Sequence, residues 1–172
     1  MIAGTMPALN EALQLYFRGE RNLGLALAVY GLALLAVAVW LWRTQDGGFG
    51  LALMVTLGVL GLAFSGGGAF LAGKTPGQVA KLEADLKAAP DTATEAEYQR
   101  MVKVNQLWPR AKLAWTVLTA IALALIMLVK REWAAGLGLA LLFGTTALMA
   151  TDLFAERRAE PYTRALEAAR RS

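Results

Sequence analysis

Neither cysteine nor histidine occurs in the chain. Disulfide bonds, thiol nucleophiles and imidazole acid–base catalysis are thereby excluded, and with them most zinc, copper and haem sites, which draw on those side chains. Charge is scarce as well: charged residues make up 17% of the 172 positions, against a hydrophobic share of 57%. That balance is too apolar for a soluble domain of this length. The missing charge is concentrated, because residues 23–42, 48–72, 113–129 and 133–151 contain no Asp, Glu, Lys or Arg at all.

A helix rises about 1.5 Å per residue and a bilayer's hydrocarbon core is about 30 Å thick, so roughly 20 uncharged residues suffice to cross it. Each of the four stretches meets that length, the third only just. A soluble bundle would need a polar outer face on every helix, and these stretches have almost none. Membrane-spanning β-strands alternate apolar and polar residues, whereas here the apolar runs are continuous. The first stretch follows 22 residues that include Glu11, Arg18, Glu20 and Arg21, unlike a signal peptide, and is expected to remain in the mature protein. The expected fold is therefore an all-α integral membrane protein, a bundle of four transmembrane helices forming one domain over 1–172.

Lysine and arginine set its orientation. The N-terminal tail carries Arg18 and Arg21, the middle loop (74–112) seven basic residues and the C-terminal tail five, whereas the two short hairpin loops carry only Arg43, Lys130 and Arg131. Basic residues stay on the cytoplasmic side, so both termini and the middle loop are expected there, as in a bacterial inner-membrane protein. This clustering also accounts for the net charge of +4 without invoking nucleic acid. Trp40, Trp42, Phe49 and Trp133 fit an outer aromatic belt, and Tyr16, Phe17, Phe70, Trp108 and Phe154 an inner one.

The cytoplasmic pieces read as short amphipathic helices. One begins near Pro76, carries Val79, Leu82 and Leu86 on one side, pairs Glu83 with Lys87, and breaks at Pro90-Asp91. A second is expected to start with Thr92 or Thr94 as N-cap, with Glu95 or Glu97 three positions on, and to reach a kink or boundary at Pro109. The N-terminal segment, with Leu9, Leu13, Tyr16 and Phe17 on one side, reads as a short interfacial helix. A C-terminal helix over 153–172 carries the helix-spaced pairs Glu160/Arg164 and Glu167/Arg171.

The order of features points to a duplicated hairpin. Residues 14–18 (QLYFR) correspond to 106–110 (QLWPR), 48–53 (GFGLAL) to 136–141 (GLGLAL), and 82–84 (LEA) to 166–168 (LEA). Both copies start inside, so the halves would be parallel repeats about an axis along the membrane normal.

No enzyme motif is present: no Gly-Lys-Ser/Thr phosphate loop, no nucleophile elbow and no His-Glu metal helix. The chain is expected to be non-enzymatic, with no catalytic residue, cofactor or metal. No ionisable residue lies near mid-bilayer, where ion-coupled carriers keep theirs. What remains is small residues at four-residue spacing, Gly61, Ser65 and Ala69 in the second span and Gly136, Ala140 and Gly144 in the fourth, a candidate helix interface of the kind that lets backbones approach in lipid. The glycine-rich Gly66-Gly67-Gly68 end of the second span is a candidate partner contact or hinge. Arg18, Arg110, Asp152 and Glu156 fall near one plane at the inner border, a candidate polar cluster: either a charged ring that sets helix depth or a docking surface.

The partners expected are the lipid bilayer and another membrane protein or a second copy of the chain. The leading expectation is a protein that acts by binding through its membrane bundle and cytoplasmic helices. Small four-span immunity proteins, which protect bacteria against membrane-active toxins, share that architecture but not the sequence. The alternatives are a homo-oligomeric channel or pore and a small-solute carrier.

Overall fold

A computed structural model describes residues 5–171, all but a few of them in four helices: α1 (Thr5–Thr44), α2 (Gly48–Ala88), α3 (Pro90–Leu128) and α4 (Glu132–Arg170). Residues 1–4 and 172, the last being the end of the expected C-terminal helix, lie outside the described residues. The helices hold 40, 41, 39 and 39 residues, and at about 1.5 Å per residue each is roughly 60 Å long, about twice a bilayer's hydrocarbon thickness. All four are long and apolar enough to cross a membrane. Each has an uncharged half and a charged half, and the up-and-down connection gathers the uncharged halves at one end of the bundle and the charged halves at the other.

This continuity corrects the expected layout of short helices. The stretch 74–112 is no separate loop: it is the end of α2 and the start of α3, which reverse direction through Ala89 alone. Ala89 takes an extended backbone (φ −146°, ψ 77°), its N–H bonds back to the Asp85 carbonyl, and Pro90 opens α3. A proline suits the first helical position, where its missing N–H is not needed. Ala89 is therefore the N-cap in place of Thr92 or Thr94, and Thr94 is buried.

Pro76, Pro109 and Pro161 lie inside their helices rather than at boundaries. All three rings face outward, so the inward face of each helix keeps its packing across the missing hydrogen bond, which offsets a cost of about 3 kcal/mol. The N-terminal segment is also no interfacial helix. Leu9, Leu13, Tyr16 and Phe17 are buried against Met101, Ala159, Tyr162 and Leu166 in a core at the charged end, which removes Tyr16 and Phe17 from the inner aromatic belt. Phe70 and Phe154 remain exposed, as do Trp40, Trp42, Phe49 and Trp133 at the opposite end.

α1 lies along α2 and α3 along α4, with α2 and α4 touching between the two hairpins, while the backbones of α1 and α3 do not approach. In the uncharged half the core is Leu34, Ala38, Leu41, Leu53, Leu57, Phe64 and Ala140. Glycines bring the backbones together there: a Cβ on Gly31 of α1 would stand 2.4 Å from the Ser65 nitrogen, and one on Gly136 of α4 would stand 2.3 Å from the Phe49 carbonyl oxygen. The turn before α2 requires glycine for another reason, since Gly47 has φ 101°, a conformation other residues rarely adopt. The two hairpins, each a pair of long helices around a three-residue turn, have the same construction.

Candidate functional site

Of the small residues singled out in the sequence, Gly61 packs on Gly31 and Leu35 of α1, Gly136 on α2 at Phe49 and Leu53, and Gly144 on Leu60 of α2. Ala140 is fully buried, and the Ser65 hydroxyl donates to the Gly61 carbonyl at 2.6 Å. Ala69 points outward, and Gly66 and Gly67 have open space around them. These positions therefore serve chiefly to close the bundle on itself. The remaining hydroxyls of the uncharged half mostly bond within their own helix, Thr145 to the Leu141 carbonyl and Thr151 to that of Ala147, the usual way to satisfy such groups in an apolar setting. Tyr30 differs, because its hydroxyl donates to the Phe143 carbonyl at 3.1 Å and ties α1 to α4.

The four charged residues of the expected polar cluster are not brought together. Asp152 accepts from the Trp115 indole at 2.6 Å, and Glu156 pairs with Lys112 at 2.6 Å. Both contacts lie between α3 and α4. Arg18 and Arg110 stand exposed on helices whose backbones do not approach, and neither takes part in an ion pair among the described residues. The helix-spaced pairs Glu160/Arg164 and Glu167/Arg171 do form. Glu83 accepts instead from Gln14 of α1, at 2.7 Å, in place of the expected pairing with Lys87.

A different group of polar residues meets inside the charged half. The Glu97 carboxylate, with 8% side-chain exposure, takes two hydrogen bonds from Arg100, at 2.6 and 2.7 Å, and a third from the Tyr162 hydroxyl at 2.9 Å. The Tyr162 ring stacks on Tyr16, with centroids 4.8 Å apart, and Phe17 meets both rings edge-on. The Arg100 guanidinium lies over Phe17 and Tyr16, 5.8 and 6.0 Å from their centroids, at the outer reach of a cation–π contact. One carboxylate thus links α3 to α4, and its arginine partner reaches α1.

Burial, reinforced by the neighbouring Glu97 charge, holds the Tyr162 hydroxyl well above the ordinary tyrosine range, so it stays protonated and donates. Burial pulls the Arg100 pKa down, but the hydrogen bonds and charge of Glu97 outweigh it and keep the guanidinium firmly charged. With its bonding capacity taken up, Glu97 acts as a clamp. Glu97 is buried while Arg100 keeps 40% of its side chain exposed, so removing Arg100 would leave a buried carboxylate without its charged partner, the costly way to break such a pair.

Unused capacity lies next to the clamp. One carboxylate oxygen of Glu20 and the Nε of Arg158 are buried without a hydrogen-bond partner. Burial raises the Glu20 pKa, against the pull of Arg100, Lys74 and Arg158. Desolvation lowers that of Arg158. The Arg158 side chain crosses α1 at Gly19, where any Cβ would collide with its Cδ at 2.3 Å.

Sequence reading missed this centre. Its one visible signal is the three-residue spacing of Glu97 and Arg100; Glu97 reads as a capping residue, and nothing in its own segment marks Tyr162. Comparison with protein families, with curated proteins and with solved structures finds no match to the chain.

Proposed function

We propose that this chain is a four-span inner-membrane protein with both ends in the cytoplasm, and that it works without catalysis by binding another membrane protein. The observation that carries the reading is the unequal burial of the four helices. In the most apolar window of α3 only 6% of residues are buried, against 22%, 28% and 33% in α1, α2 and α4. Leu113, Val117, Ile121, Met127 and Leu128 all face outward. In its uncharged half α3 has most of its surface uncovered by the other helices, which leaves it the largest face for a partner helix, since association in lipid proceeds by helix packing. The charged half suits a recognition platform, because its clamp sets the relative position of three helices before any partner arrives. An immunity or accessory subunit for a membrane-active protein would need both features.

A pore or carrier path within one chain finds less support. The centre of the uncharged half is filled by Leu34, Leu53, Leu57 and Phe64, and a conduction path needs polar groups or water there. Photo-crosslinking in native membranes tests the proposal. A probe at Val117 or Met127 on α3 is expected to trap a protein, whereas one at Leu32 on α1 is expected to trap lipid; lipid adducts alone at all three positions would refute it.

A further inference from the structure

The face that α4 turns toward α1 carries two grooves in line. The first, about 420 Å3, lies in the uncharged half between Tyr30 of α1 and Leu139, Phe143, Thr146 and Ala150 of α4. The second, about 460 Å3, lies in the charged half, where Leu15 and Tyr16 of α1 face Arg157, Arg158 and Pro161 of α4. Positions 139, 143, 146, 150, 157 and 161 are separated by intervals of three, four or seven residues, so they share one side of the helix. The grooves therefore lie in line along one side of α4, separated by the exposed ring of Phe154, and together they are called the α1–α4 channel. Its uncharged part runs inward from the point where the charge-free stretch of α4 ends, at 151.

Positive charge collects at that junction. Arg157 and Arg158 line the charged part of the channel, and Arg18, one turn beyond Leu15 on α1, flanks it. None of the three has an ion-pair partner among the described residues, and the Arg158 Nε is buried with no hydrogen bond. Of the nearby carboxylates, Asp152 and Glu156 are engaged by Trp115 and Lys112 toward α3, Glu20 is turned inward beside Arg158, and Glu11 lines the charged groove two turns from Arg18, so the three arginines outnumber the two carboxylates left to face them. Guanidinium groups match phosphate in charge and in the geometry of paired hydrogen bonds. An apolar groove that opens on to unpaired arginines at the edge of a bilayer is complementary to a molecule with an acyl chain and a phosphate.

We propose that the α1–α4 channel binds one anionic phospholipid from the adjacent leaflet, its acyl chain along Tyr30, Phe143, Thr146 and Ala150 and its phosphate between Arg18, Arg157 and Arg158. The lipid fills the groove that α1 and α4 leave between them, and its headgroup offsets the positive charge of the arginines that line and flank it. The inference rests on the membrane insertion proposed above, and it is independent of the protein-binding role of α3.

The test uses the full chain, extracted in mild detergent and offered phosphatidylglycerol or phosphatidylcholine at equal concentration, with native mass spectrometry counting retained lipid. One phosphatidylglycerol per chain is expected to be retained at least fivefold above phosphatidylcholine. The preference should vanish in the Arg18→Gln/Arg157→Gln double variant, whose altered side chains are exposed, and Ala150→Leu should remove the bound lipid by filling the groove. Equal retention of both lipids, or a preference that survives both variants, overturns the proposal. So does competition by soluble glycerol phosphate as effective as that by the lipid, which would identify a free-anion site. Alkaline washing of native membranes separates the two levels: a chain that stays in the pellet without lipid preference overturns this inference alone, and a chain released into solution overturns the membrane reading and this inference with it.

Discussion

In the charged half of the bundle the largest fully buried side chains, Tyr162, Leu9, Leu13, Met101 and Leu166, fill the space between the helices. In the uncharged half Leu34, Leu41, Leu53, Leu57 and Phe64 still form a core, but Val29, Leu32, Leu51, Leu62 and Phe70 point outward and glycines such as Gly24, Gly31, Gly61 and Gly136 bring the backbones together. The same four helices thus change packing rule partway along their length. Where water surrounds a bundle, burying large apolar groups is the main driving force. Lipid removes that drive, since its tails are as apolar as leucine, and association must come from close backbone approach. This is the packing that the proposed lipid surroundings of the uncharged half call for.

Substitutions can break this comparison at either end. The largest effect is expected for Leu13→Ala in the charged half, which should cost about 2–5 kcal/mol because a buried leucine leaves a cavity. Leu32→Ala, outward-facing in the uncharged half, should change stability by less than about 0.5 kcal/mol. Thermal unfolding in detergent measures both, and comparable losses would mean that the two halves do not differ in environment.

A smaller effect is expected from Gly31→Ala, whose new methyl would meet the α2 backbone at 2.4 Å and cost about 1–3 kcal/mol through forced separation of α1 and α2. Gly66→Ala, at a position with nothing within 4 Å, should not destabilise and should strengthen the helix slightly. A reversed order of the two melting temperatures would contradict the close-approach account.

The smallest effect concerns Glu20. Burial raises its pKa above the ordinary value of 4.5, so the folded chain holds that proton more tightly than the unfolded one. Its stabilising contribution is complete below the unfolded value and is lost as pH climbs from about 4.5 through the raised value. Once ionised in the folded chain, the carboxylate is therefore a liability. Glu20→Gln should raise the melting temperature at pH values above the ordinary Glu range and flatten the acid side of the stability profile. A variant less stable than the parent across that range would show that the Glu20 charge is compensated by its basic neighbours after all.

The four apolar stretches were legible because an ionised group in oil is costly wherever it stands, a local property that a residue-by-residue reading detects. The turn before α2, with its paired glycines at 47 and 48, and the break at Pro90 were legible for the same kind of reason. Pro76 and Pro109 misled because a proline's local preference is weaker than the packing of a long helix on both sides of it. Tyr16 and Phe17 misled because an apolar stripe shows that something apolar must cover it without saying whether that is lipid or another helix. Arg18, Arg110, Asp152 and Glu156 were placed at a common depth, which sequence can count, but whether they meet depends on the rotation of each helix about its axis, which it cannot.

The sequence by itself determined that there are four long apolar helices, where they turn, and which of their ends carry charge, since each follows from the composition of a contiguous segment. Only the tertiary structure decided that the helices continue as a second, charged bundle, that α3 hangs on α4 with its apolar face open, and that Glu97 clamps Arg100 and Tyr162 while Arg158 goes unpaired. The Glu97–Tyr162 contact joins residues 65 positions apart. It exists because two helices happen to present those side chains at the same height and angle, a relation set by the packing of the whole bundle and written in no single segment.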